Sequence, residues 1–126
     1  MAKLDAAIKE DFLRTVRPHK DIASIDKIIT SITKLRKEMP KNHKLVLQSL
    51  LYNSYRDDFP SNAHKKNIES LANAINKINP DLVQIYSIAR SPAEYFVYAL
   101  GESRITQVTD KLKNLVNNNS IKIVGY

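Results

Sequence analysis

One stretch constrains the fold more than any other. Residues 81–94 read DLVQIYSIARSPAE. The first part, 82–88, reads as an apolar strand, and it runs into a polar turn, Arg90-Ser91-Pro92-Ala93-Glu94. A buried strand that delivers an arginine, a serine and a carboxylate at its C-terminal end is how α/β proteins build sites. Arg90, Ser91 and Glu94 are therefore candidate ligand contacts. The plainer alternative is that Arg90 and Glu94 pair with each other or cap the next segment.

The flanking sequence has the same character. Residues 45–52, LVLQSLLY, form a short apolar run with a single glutamine, which suits a buried parallel strand. Amphipathic stretches separate these runs. Ile8, Phe12 and Val16 mark a helix over 5–16, with Asp5 as its N-cap and Arg17-Pro18 as its end. Ile22, Ile25, Ile28, Ile29, Ile32, Leu35 and Met39 line one face of a helix over 22–39, capped by Asp21 and stopped by Pro40. Ile68, Leu71, Ala72, Ile75 and Ile78 mark a third over 64–78, ended by Asn79-Pro80. Ile105, Val108, Leu112, Leu115 and Val116 mark a fourth over 103–116, and 121–124 close the chain as a strand. Residues 95–100 fit neither period. Strands alternating with helices argue for right-handed crossovers and a parallel sheet. The expectation is one α/β domain over 1–126 with about three parallel strands.

Composition removes several classes of function. The chain has no cysteine, so it forms no disulfide, offers no thiolate nucleophile and holds no cluster through cysteine. It has two glycines, too few for a phosphate-cradling loop of the G-x-x-x-x-G-K type. No apolar run approaches the ~20 residues of a membrane span, and the N-terminus lacks the apolar core of a signal peptide, so a cytoplasmic location is the default expectation. The net charge of +7 raises nucleic acid as a partner, but the lysines are dispersed and the densest groups, 34–37 and 41–44, fall at a helix C-terminus. They read as a solvated face rather than a phosphate patch. His19, His43 and His64 are far apart and sit at element ends, which is not the pattern of a metal site. Tyr95 and Tyr98, in an apolar stretch, read as packing residues rather than stacking platforms.

Several segments together resemble one family. VQIYSIARSPAE resembles the sixth strand of a group of radical SAM proteins, which runs into R-P-P-A-E. KLDA at 3–6 is similar to the end of that domain's fourth strand. RPHKDI at 17–22, the helix ending in KLRKE and the junction INPDLVQ at 78–84 also fit, so the resemblance spans nearly the whole chain. It implies a partial (β/α)6 barrel with helices mainly on one face. In that family a Cys-x3-Cys-x2-Cys loop binds a [4Fe-4S] cluster that cleaves S-adenosylmethionine reductively. This chain carries no such loop and corresponds to the C-terminal half of the domain. The resemblance implies part of an S-adenosylmethionine and substrate pocket, with Ile85, Tyr86 and Ser87 near the adenine and Gln48 facing cofactor or substrate. Gln48 reads equally well as a buried amide satisfied by a neighbouring strand. Two departures stand out: the loop after the strand at 45–52 is YNSYRDDFPSN rather than glycine-rich, and Ser91 replaces a proline.

A half-barrel has a physical consequence. Crossovers of one hand put every helix on one side of the sheet and leave the other side open. Leu45, Leu47 and Leu51 share one strand face; Val46, Gln48, Leu50 and Tyr52 share the other, with Gln84, Tyr86, Ile88 and Arg90 on the corresponding face of the next strand. The face of Gln48, Gln84 and Tyr86 is the expected former interior. It is too apolar for water, so the expected partner is a second copy or an N-terminal half-barrel polypeptide. The alternative function is a self-associating, non-catalytic interaction module with weak affinity for polyanions.

Overall fold

A computed structural model describes residues 2–7, 9, 24–58, 60–87 and 97–126. In chain order its elements are β1 (Ala2–Lys3), α1 (Ile25–Glu38), β2 (Val46–Leu50), β3 (Tyr52–Ser54), α2 (Lys65–Ile78), β4 (Leu82–Tyr86), β5 (Val97–Ala99), α3 (Glu102–Leu115) and β6 (Lys122–Gly125).

Four strands form one parallel sheet in the order β1-β2-β4-β6, one more than the sequence predicts. The additional strand is β1, which overlaps the KLDA segment at Lys3, and the Leu4 N–H extends the pairing to the Gln48 carbonyl at 2.8 Å. Every other position of β2 and β4 is buried, and the intervening ones are half-exposed. Leu47, Val83, Ile85 and Ile123 join the inward faces of all three helices in one core. The helices therefore lie on one face of the sheet, as the crossover argument predicts. Parallel sheets are ordinarily covered on both faces; among the described residues this one is covered on one.

Each helix has its own start and stop. Ser24 caps α1, its hydroxyl accepting the Lys27 N–H at 3.4 Å, and the chain turns out of the helix at Met39 before Pro40. His64 caps α2 through Nδ1, which accepts the Asn67 N–H. Asn79 ends α2 in the left-handed region at φ 58°, a conformation asparagine tolerates better than most residues, and Pro80 prevents continuation. Helix α2 packs between α1 and α3 and is the most deeply buried of the three.

Two details depart from the sequence reading. Leu35, expected on the core face of α1, is 52% exposed. The stripe that faces the core centres on Ile25, Ile29 and Thr33, which puts Leu35 over 100° away around the helix. The run 45–52 is two strands. Leu51 still donates to the Tyr86 carbonyl, but the Tyr52 N–H is taken by the Asn62 side chain at 2.9 Å, and the chain leaves the sheet. From there β3 pairs antiparallel with β5, which settles the state of residues 97–99. Tyr52, expected on the Gln48 face, is consequently buried.

The expected helix over 5–16 lies almost entirely outside the described residues, as do Asp21 and the start of the helix expected over 22–39.

Candidate functional site

The C-terminal end of the parallel sheet holds a buried polar cluster. Asp5 follows β1, and its Oδ1 accepts the Leu50 N–H from the end of β2 at 2.8 Å. Asn62 and Asn67 are fully buried beside it. Both donate to the Asp5 carbonyl, at 3.1 and 3.3 Å. Asn67 also donates to the Asn62 carbonyl and accepts the Ala7 N–H at 2.9 Å. Asn62 donates to the Leu50 carbonyl as well, at 2.8 Å. Each carboxamide thus uses its oxygen and its nitrogen, so burial leaves no donor or acceptor orphaned. The cluster joins β1, the β2–β3 bend and the first turn of α2.

Burial raises the Asp5 pKa above the ordinary carboxylate value; the Leu50 N–H and the Lys3 ammonium, 3.8 Å from Oδ2, oppose that rise. A carboxyl tuned by burial at this end of a parallel sheet is a candidate acid–base group. Its geometry is that of a clamp, because Oδ1 is committed to a backbone N–H. The sequence predicts a helix cap at Asp5 and a turn former at Asn62; Asn62 does lie in a turn, but nothing in the spacing of Asp5, Asn62 and Asn67 marks the cluster. The KLDA motif was its only visible trace.

The residues singled out from the sequence are distributed over three settings. Gln48 and Gln84 are cross-strand neighbours on the open face, with Gln48 Nε2 donating to Gln84 Oε1 at 2.8 Å. Gln84 in turn donates to the Tyr126 hydroxyl at 3.4 Å. The amide is thus met by the neighbouring strand, but on a half-exposed surface rather than in a core. The register sets Lys3, Gln48, Gln84 and Val124 in one row across the sheet, with Leu50 and Tyr86 in the next row toward the C-terminal end. Ile85 points the other way, its side chain fully buried under the helices and its carbonyl accepting the Tyr126 N–H. Of the two, Tyr86 faces any occupant of the open side. Ser87 Oγ donates to the Leu51 carbonyl at 2.6 Å and accepts the Leu100 N–H at 2.8 Å, tying the end of β4 to β2 and to the start of α3. Arg90, Ser91 and Glu94 lie outside the described residues.

Two further readings can be placed. Tyr98 is 48% exposed on β5 and stacks on Tyr55, with ring centroids 6.4 Å apart, so it does not pack into the core; Tyr95 lies outside the described residues. Among the described residues no three histidine, cysteine, aspartate or glutamate side chains converge as a metal site would require. No helix among them is long and apolar enough to cross a membrane. No family model, curated protein or solved structure matches the chain.

Proposed function

We propose that this chain supplies the C-terminal half of a radical SAM-type (β/α) barrel. It contributes one wall of an S-adenosylmethionine and substrate pocket and is inactive alone. The observation that supports this is the one-sided sheet. Strands follow one another across it in chain order, the helices lie behind, and the face that a barrel would turn inward is open among the described residues and carries Gln48, Gln84 and Tyr86. The chain has no thiolate to hold an iron–sulfur cluster, so the cluster does not fit here. A segment bearing the cysteines must supply it, and no step of radical chemistry is assigned to these residues.

The test is calorimetric titration of S-adenosylmethionine into this chain alone and into its mixture with a polypeptide carrying a Cys-x3-Cys-x2-Cys half-barrel. The expected result is a stable heteromeric complex, with saturable binding only in the mixture. Failure of the two to associate would overturn the proposal.

A second reading is favoured by the apolar share of the same face. Val46, Leu50, Leu82, Tyr86 and Val124 are all half-exposed. On that reading the face pairs with a second copy and the protein is an interaction module rather than part of an enzyme. A homodimer that persists at low concentration and excludes the cysteine-bearing half would favour it.

A further inference from the structure

We propose that the β6 edge of the sheet is a docking site for an extended, acidic peptide strand of a partner protein. It is a different surface from the open face, so it stands or falls separately.

The backbone provides the ladder. Among the described residues, strand β6 is the last in the sheet order and pairs on one side only, with β4. The Lys122 N–H donates to the Asp81 carbonyl at 3.2 Å and the Tyr126 N–H to the Ile85 carbonyl at 2.9 Å. Hydrogen-bonding direction alternates along a parallel strand, so Lys122, Val124 and Tyr126 face β4. The N–H and C=O groups of Ile123 and Gly125 consequently point away from the sheet. An unpaired row of this kind is a template for an added strand.

The side chains provide the groove. Alongside this edge, between β6 and α3, lies an open cavity of about 500 Å³. Thr109, Lys113 and Val116 line its helix side, and Ile121, Ile123 and Gly125 its strand side. An incoming strand laid on β6 would send alternate side chains into this groove. The others would extend the open face beside Lys122 and Val124.

Charge selects the occupant. The charged residues lining the groove are Lys113 and Lys122, and no acid lines it among the described residues. A second copy brought edge to edge would gather four lysines at one seam. An edge lysine ordinarily guards against that pairing. The same lysines favour a strand carrying carboxylates, because cross-strand partners of opposite charge attract and like charges repel.

The probe is a fluorescein-labelled heptapeptide alternating valine and glutamate. One control has lysine in place of glutamate; another is N-methylated at the residues that would face β6. Anisotropy titrations against the full chain are expected to show at least tenfold tighter binding of the glutamate peptide than of either control. Lys113→Glu with Lys122→Glu should erase or reverse the charge preference. Amide exchange supplies a readout independent of these variants. Peptide should slow exchange at Ile123 and Gly125 and leave Lys122 and Val124, already bonded to β4, unchanged. Equal binding of the acidic and lysine peptides, or unchanged exchange at Ile123 and Gly125, would overturn the proposal. Protection of those two amides that rises with protein concentration alone would also overturn it, by assigning the edge to a second copy.

Discussion

Two aspartates respond to pH in opposite directions. Burial holds the Asp5 pKa above the ordinary 3.8, so the folded state retains its proton to higher pH than the unfolded chain does. The stability tied to this is complete below the unfolded value and is lost as pH rises through the raised folded value. Asp5→Asn keeps an acceptor for Leu50 and removes the titration. Denaturant midpoints should show the variant gaining on the native protein as pH rises above the ordinary carboxylate value. Asp5→Ala strands the Leu50 N–H and should cost about 1–3 kcal/mol. Asp81 is the reverse case. The Leu45 N–H, and then the Arg36 guanidinium, hold its pKa below 3.8. Its contribution is complete above that value and is lost as pH falls through the depressed one. Arg36 grips both Asp81 oxygens, at 2.8 and 2.9 Å, and also donates to the Asn79 carbonyl. The pair is about a quarter exposed, at 24% and 27%, so water screens part of its attraction. Arg36→Ala should cost about 1–2 kcal/mol at pH 7, and urea titrations below pH 4 should show that gap closing.

At the scale of elements, α3 and β6 meet without slack at Gly125, although a groove opens between them further along. A methyl group on Gly125 would lie 2.7 Å from both Ile105 Cγ2 and Thr109 Oγ1, whereas one on Gly101 would meet nothing within 4 Å. Gly125→Ala should lower stability by about 1–3 kcal/mol through overpacking. Gly101→Ser should raise it by a few tenths of a kcal/mol, because that N-cap has no side-chain acceptor. Thermal melts of the two variants should therefore shift in opposite directions. The same scale shows what was legible in the sequence. The helices were visible because their apolar residues recur at one period, and their ends because Pro40 and Pro80 cannot continue a helix and Asn79 accepts the left-handed cap. The burial alternation of β2 and β4 was visible for the same reason. The bend at Leu51 was not, because its cause is the Asn62 carboxamide, eleven residues further on. Strand β5 is obscure in the sequence because three residues carry too little pattern, and its partner β3 straddles the end of the expected strand over 45–52 and the start of the expected loop. The polar cluster was hidden because Asp5, Asn62 and Asn67 meet only through the fold.

For the whole molecule, the sheet face left uncovered by the described residues is expected to govern association in solution. Its half-exposed leucines, valines and Tyr86 lie in rows set by the strand register, so they form one patch rather than scattered spots. Replacing Leu50 and Tyr86 with glutamate should leave the core untouched, since neither side chain enters it. Light scattering across concentration should show the native chain associating and the double variant remaining monomeric. The +7 net charge makes weak, salt-sensitive adhesion to polyanions an expected background, and filter binding should lose it as salt rises.

The order β1-β2-β4-β6 also bears on how the chain is made. Each strand of that sheet after the first pairs with one that precedes it in sequence, one crossover back: Val83 beside Leu47, then Ile123 beside Val83. The shorter ribbon obeys the same rule, with β5 returning to β3. In this order of pairings no strand of the four-stranded sheet has to be inserted between two that are already paired. As the polypeptide leaves the ribosome, each new β-segment can dock on a surface already built, and the structure can grow from one side in the direction of translation.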